Sequence, residues 1–388
     1  MMPAVNDAPP GLSARRLKPI RGGTWSTLLV IGAVIAASAV MLELGARAFV
    51  YAFDWWVPDE RINADAYAGA PWTRDYYREF RASGDVEWHS YVYWRRRPYV
   101  GTSIHIDKDG IRQTWTPAAA PERRIFVMGG STVWGTGARD DQTLPSHIAR
   151  ELDASGDPVH VVNYGESGYV TEQSVAMLLE RLRASDVPDV VVFYVGAEDV
   201  FAAYQNGRAG VPQNEANRAL EFNAMQPEAL GSALRVMTSG MERVNTLFHR
   251  PAPVASPSVS ADVLANAIEV HACQNRKIVS GLAHQFGFTP VWFLQPVIFS
   301  KPQLTSYEQL ERGRYESARE IFDRAYARLR RSDACDATPL HDLSLQFADE
   351  RAPVFLDAFH ISEDGNHRVA RAMLPYLTRV LSDRVRHR

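Results

Sequence analysis

From residue 123 onward, apolar runs of strand length alternate with stretches whose apolar residues return every three to four positions. "RRIFVMGG" (123–130) reads as a buried strand and "LPSHIARELDASG" (144–156) as a helix closed by glycine. "VHVVNYG" is a strand, "EQSVAMLLERLRAS" a helix and "PDVVVFYVG" a strand. After a long interruption, "ADVLANAIEVHACQNRKIVSGLAHQFG" is helical and "TPVWFLQPV" a strand. "SYEQLERGRYESAREIFDRAYARLRRS" is one long helix, followed by a short strand near "PLHDLS" and a last helix after the loop that opens "DAFHISEDGN". This alternation predicts an α/β fold, a parallel sheet with helices on both faces. In such sheets ligands sit at the carboxyl ends of the strands. Ser131, Gly165, Gly168 and Gly196 all fall at such ends.

Upstream, "TWSTLLVIGAVIAASAVML" (24–42) contains no charged residue. Nineteen helical residues at about 1.5 Å each nearly span a hydrocarbon core of roughly 30 Å. The preceding segment, 1–23, carries Arg15, Arg16, Lys18 and Arg21 against Asp7, while Glu43, Asp54, Asp59 and Glu60 outnumber Arg47 on the other side. The excess of basic residues on the cytoplasmic side of membranes predicts an N-terminus inside and the rest of the chain outside. A cleaved secretory signal is the rival reading, but its apolar region usually runs about 7–15 residues, shorter than this one. Residues 45–122, rich in Trp, Tyr and Arg ("WHSYVYWRRRPYVG"), form a connecting segment expected to pack as a belt on the main domain, 123–388. Within it "IHIDKDGIR" suggests a turn between short strands. Residues 200–258 have weak periodicity and end in "RPAPVASPSVS", which marks an insertion.

Composition narrows the partners. A net charge of −3 over 388 residues argues against a general nucleic-acid surface. Cys273 and Cys335 are the two cysteines. Outside the cytoplasm they can pair; the alternative is two unpaired small hydrophobes, and the sequence leaves both open. No spacing resembles a zinc site.

The glycine turn after the first buried strand excludes three common readings. Gly130 and Gly135 have phosphate-loop spacing, but Thr136 stands where the lysine is required. Ser131 occupies the second glycine position of a dinucleotide fingerprint counted from Gly129. Val133 replaces the closing glycine of a G-x-S-x-G elbow. A serine nucleophile remains. It needs a base, and the base needs a group to fix its tautomer. "FLDAFHISEDGN" offers Asp357 and His360 three residues apart, after the last strand and at the same sheet edge. His271, His284 and His341 lack partners at useful spacing and read as structural.

With these residues in place, the chain resembles the SGNH hydrolases, the GDSL-type lipases and esterases. "MGGSTVWG" looks like the nucleophile block, "NYGESGY" the second block, "VGAEDV" the third, normally G-x-N-D, and "DAFH" the final D-x-x-H block. The resemblance covers roughly 123–385. It implies a flavodoxin-like parallel sheet, preceded here by one transmembrane helix. It also implies a catalytic set of Ser131, Asp357 and His360, and an oxyanion hole using the amides of Ser131 and Gly168. Glu198 stands where the third block places an asparagine donor; an ionised carboxylate accepts hydrogen bonds and cannot donate. Asp199 beside it reads as a structural hydrogen-bonding residue.

The expected function is ester hydrolysis outside the cytoplasm, with an ester or O-acylated glycan as substrate, no metal and no organic cofactor. Acyl transfer by the same triad is one alternative. A catalytically silent polysaccharide-binding or assembly protein is the other, and Glu198 is its best support.

Overall fold

The computed structural model describes residues 22–56, 58–118, 121–224, 259–331, 335 and 338–387. The basic flank and the greater part of the expected insertion, 225–258, lie outside the described residues. Two compact units divide the chain; one includes Met1–Ala52, and the other comprises Phe53–Pro227 with Pro251–Arg388.

The first unit contains most of the helix Gly22–Trp56. Its apolar stretch, Ser26–Ala52, runs 27 residues and is long and apolar enough to cross a membrane, a property shared by anchors and signal sequences. It extends ten residues beyond the uncharged run, and in that extension Glu43 and Arg47, one turn apart, pair at 2.8 Å. Leu28, Leu29, Val34, Ile35 and Met41 are exposed on it, and Glu43 and Val50 are buried.

The second unit is built on five parallel strands: β5 (Arg124–Gly129), β6 (His160–Asn163), β7 (Val190–Val195), β8 (Thr289–Leu294) and β9 (Leu340–Asp342), in the order β6-β5-β7-β8-β9. Ahead of them lie two short antiparallel pairs, β1 (Val86–His89) with β2 (Tyr93–Arg96) and β3 (Tyr99–Val100) with β4 (His105–Ile106). Alternation along each central strand serves two cores. Ile125, Val127, Val190, Val192 and Phe293 pack with the helices Leu144–Ala154 and Glu363–His387. Phe126, Met128, Val191, Phe193 and Trp292 pack with Thr171–Arg183 and Ala261–Phe286. Each such side chain contributes roughly 1.5–3 kcal/mol by leaving water.

The chain leaves β5 for β6 on one side, then crosses to β7 on the other. That reversal opens a crevice at the carboxyl end of β5, where doubly wound sheets hold their ligands.

Two elements differ from the sequence pattern. The helix expected over 306–332 is two, Ser306–Arg314 and Arg319–Leu329, joined by a tight turn at Glu316–Ala318. Tyr315 ends the first and packs its ring on Phe359 and Phe201, so tertiary packing overrides the continuous helical period. The β1–β2 hairpin carries no alternation that marks it as such. Its inner residues include the buried Arg95 and Arg96, held by carbonyls: Arg95 Nη2 donates to Gly110 O at 2.8 Å and Arg96 Nη1 to Ser83 O at 3.0 Å.

Candidate active site

Ser131 begins a single helical turn, Ser131–Trp134, directly after β5. Glycine is needed on both sides of this turn for a steric reason. A Cβ on Gly130 would lie 2.0 Å from Glu198 Oε1, and one on Gly165 would lie 2.3 Å from the Trp134 amide nitrogen. The turn is gripped from the connecting segment. Arg112 Nη1 donates to Trp134 O at 3.1 Å and Gly135 O at 2.7 Å, and its Nη2 to Ala138 O at 2.6 Å. The guanidinium carbons of Arg96 and Arg112 lie 3.9 and 4.2 Å from the Trp134 ring centre. Residues 58–118 belong to the same compact unit as the sheet.

Asp357 and His360 sit on a loop with its own supports. Leu356 N donates to His360 O at 2.8 Å, Tyr307 Oη to Leu356 O at 2.8 Å, and Ile298 N to Ala358 O at 3.0 Å. Below the loop, Lys301 and Glu308 form a fully buried ion pair at 2.6 Å. Glu308 Oε1 also accepts from Val354 N at 2.9 Å and Phe355 N at 3.0 Å. A buried charge is tolerated only with such complete pairing, and here the pairing pins the loop start.

Three side chains from distant parts of the sequence meet in the crevice. His360 Nε2 lies 2.7 Å from Ser131 Oγ. His360 Nδ1 donates to Asp357, 2.8 Å from Oδ1 and 2.7 Å from Oδ2. That bond places the proton on Nδ1 and leaves the Nε2 lone pair for the serine hydroxyl. Asp357 Oδ1 also accepts from Phe359 N at 3.0 Å and His360 N at 2.9 Å. Burial pushes the Asp357 carboxyl up, but the His360 and Arg61 charges and these hydrogen bonds prevail and hold it well below the usual carboxylate range.

Glu198 is the second residue of the helix Ala197–Asn206, which follows β7. Its Oε1 lies 3.2 Å from Ser131 Oγ. Burial pushes its carboxyl up, against hydrogen bonds from the amides of Glu198 and Ser131, the Ser131 hydroxyl and the neighbouring His360. The Ser131 amide therefore faces the Glu198 carboxyl. Gly168, at φ +77, lines the same cavity.

Asp199 turns the other way. It accepts from Thr171 N at 2.8 Å, Thr171 Oγ1 at 2.9 Å and Gly196 N at 3.2 Å, tying the end of β7 to the helix after the second block. Burial, then the charge of Glu172, raises its carboxyl to about 7. Glu172 itself pairs with His271 at 2.9 Å, a partner 99 positions away in sequence and invisible to a spacing argument.

The cavity over Ser131 has a volume of about 260 Å³. Phe80, Phe201, Tyr315 and Phe359 give it aromatic walls, and Ser167 and Gln213 polar ones. Arg61, which nothing in the sequence marked, also lines it. Among the described residues no cluster of three or more His, Cys, Asp or Glu side chains is arranged to hold a metal ion. Cys273 and Cys335 form a disulfide bond between the helix Ala261–Phe286 and the segment before β9.

A serine, a histidine and an acid thus meet at the carboxyl edge of a parallel sheet, a combination that can activate a serine hydroxyl. Residues 125–373, well over half of the chain, match the family model described as GDSL-like Lipase/Acylhydrolase. The chain belongs to this family and is a GDSL-type enzyme acting on ester bonds. No curated protein matches it. Among solved structures it is similar to an acetyl xylan esterase, AlAXEase (14% identity, 65% of this chain and 98% of that one, TM-score 0.35). It is similar to TesA (14%, 66% and 99%, TM-score 0.37) and to the lipase Lip_vut3 from a goat rumen metagenome (13%, 65% and 96%, TM-score 0.39).

Proposed function

We propose that this chain is a membrane-anchored serine ester hydrolase that removes small O-acyl groups, such as acetyl on a glycan, outside the cytoplasm. The observation that carries the reading is the unbroken line of contacts from Asp357 through His360 to the Ser131 hydroxyl. Ser131 Oγ attacks the acyl carbon while His360 Nε2 takes its proton. His360 returns that proton to the leaving alcohol oxygen, which departs and leaves an acyl-serine. Water, deprotonated by the same nitrogen, then releases the acid and restores the serine. Asp357, kept ionised by its surroundings, holds the imidazole in its tautomer and opposes the charge of the imidazolium.

The oxyanion that forms needs donors. The resemblance implies the Gly168 amide as one, and the Ser131 amide becomes another once the Glu198 carboxyl that it faces turns away. Glu198 becomes a further donor when it is neutral, a state that its burial favours. The Ser131 hydroxyl has one proton to give, with His360 Nε2 at 2.7 Å and Glu198 Oε1 at 3.2 Å both in reach of it. When that proton goes to His360, only a protonated Glu198 can donate to Ser131 Oγ in turn. Neutral Glu198 then turns its O–H from the serine to the substrate oxygen, as a buried carboxylic acid does in an apolar oxyanion site.

The aromatic walls suit the apolar face of a sugar ring, and Ser167 and Gln213 its hydroxyls. An apolar helix at the N-terminal end and a disulfide, which persists in oxidising compartments, support action outside the cytoplasm.

Labelling with a fluorescent fluorophosphonate tests the reading. The native protein should be labelled and Ser131→Ala should not. Equal labelling of both removes Ser131 as nucleophile. Acetate release from an O-acetylated glycan, compared with a long-chain ester, then tests the substrate class.

A further inference from the structure

The matched family region begins at residue 125, yet one charged group of the site comes from far upstream. Asp59 caps the turn Glu60–Asn63 by accepting from Arg61 N at 3.0 Å. The same carboxylate takes Arg61 in a fork, Nε to Oδ1 and Nη2 to Oδ2, both at 2.9 Å. This fixes the guanidinium plane, because a two-pronged pair leaves little freedom of rotation. The Arg61 guanidinium carbon lies 5.1 Å from the ring centres of both Tyr77 and Phe80. Only Nη1 is left to point onward, and it reaches Asp357 Oδ2 at 3.5 Å.

That distance marks an electrostatic neighbour rather than a tight hydrogen bond. Its importance follows from what else the two Asp357 oxygens meet. Oδ1 has three donors: Phe359 N, His360 N and His360 Nδ1. For Oδ2 the described contacts are His360 Nδ1 and Arg61.

We propose that Arg61 is a positioning residue for the Asp357–His360 couple, delivered to the site by the N-terminal segment and locked in place by Asp59. This rests on the reading of Ser131, His360 and Asp357 as the catalytic set. Arg61 keeps Asp357 Oδ2 turned toward Nδ1. Its positive charge also lies beside the carboxylate that faces the imidazole and helps to hold that carboxyl low. Asp59 moderates that charge. The two partners therefore make opposite predictions. Loss of Arg61 removes a cation and leaves Asp59 as an unopposed anion, which makes the surroundings of the couple more negative. Loss of the Asp59 charge leaves Arg61 unmoderated, which makes them more positive. The other ionisable groups around the couple are Glu198, the Glu311–Arg314–Glu60 cluster, Tyr307, Tyr315 and Tyr77, with Arg81 beside Asp59. All are unchanged in the variants compared.

The test uses the full chain in detergent with p-nitrophenyl acetate as probe, and compares the native protein with Ser131→Ala, Arg61→Gln, Arg61→Lys and Asp59→Asn. Arg61→Gln should lower kcat roughly 10- to 100-fold through misplacement of the base, with KM within about twofold. Its acid-side loss of kcat/KM should move to higher pH. Asp59→Asn should move that limb to lower pH, and Arg61→Lys should restore its position but only part of kcat. Opposite shifts in two folded variants cannot arise from general destabilisation. If Arg61→Gln fails to fold, the limb positions of Arg61→Lys and Asp59→Asn decide. Native kcat and limb in the Arg61 and Asp59 variants, a loss confined to KM, or shifts of the same sign would overturn the proposal. Full activity in Ser131→Ala would instead overturn the catalytic reading beneath it.

Discussion

The Glu198 carboxyl lies 3.2 Å from the Ser131 hydroxyl, in a buried position where relatives with a G-x-N-D block place an amide. Burial raises its affinity for a proton, and a neutral Glu198 is a donor that fails when it ionises. Native activity should therefore fall on the alkaline side as Glu198 titrates. Glu198→Asn should abolish that limb and keep its rate there. Losing one oxyanion donor typically costs about 2.7–4 kcal/mol in the barrier, so the alkaline loss should be large. An Asn variant with the native rate and native pH profile would show that Glu198 does not serve the oxyanion.

Asp357→Asn separates charge from shape. The side chain keeps its size, but its amide N–H₂ cannot accept from His360 Nδ1. The favoured tautomer reverses and Nε2 loses its lone pair toward Ser131. A fall in kcat on the order of 10⁴ is expected, with binding of a non-reactive substrate analogue nearly unchanged. Steady-state kinetics beside calorimetric binding checks this, and a loss of binding alone would contradict it.

The Cys273–Cys335 bond closes a loop across 62 positions. Chain entropy alone assigns such a closure about 4 kcal/mol. Denatured, non-reduced protein should show no free thiol, and Cys273→Ala with Cys335→Ala should melt several degrees lower. Two free thiols in the native protein would refute the bridge.

Asp199 should give the protein an uncommon pH dependence of stability. Its folded-state affinity for a proton is raised, to about 7, over the unfolded carboxyl. Such a group binds more protons folded than unfolded between about 4 and 7, so its contribution is greatest at low pH and is lost as pH rises through that window. The difference in melting temperature between native protein and Asp199→Asn should shrink from pH 4 to pH 7. A difference that grows would refute the shift.

The anchor reading makes a topological prediction. A reporter fused after Arg388 should be active if it works only outside the cytoplasm, and silent if it works only inside. The reverse pattern would place the ester-hydrolysing unit in the cytoplasm.

The parallel sheet was legible because β5, β7 and β8 are buried on both faces and spell continuous apolar runs. That Ser131 meets the Asp357–His360 pair was legible because each rests on a local pattern: a turn after a strand, and two residues three positions apart on one loop. Features that depend on distant contacts were not. Arg61 is one arginine in a segment full of them, and only folding brings it to Asp357. Arg95 and Arg96 look like surface charges, yet both are buried, where Gly110 O accepts from one and Ser83 O from the other. The break after Arg314 follows from the docking of Tyr315 on Phe359, which overrides a good helical period. Lys301 and Glu308, seven residues apart, gave no sign that they are buried together under the loop that carries Asp357 and His360.

Trp134, three residues after Ser131, lies under two guanidinium groups that both come from before residue 125. The turn that begins with Ser131 is therefore held in part by residues outside the matched region. A transplant of residues 125–373 into another scaffold would carry Ser131 but strand the indole and the carbonyls of Trp134, Gly135 and Ala138 without their cations. A swap that keeps these contacts has to begin before Arg96.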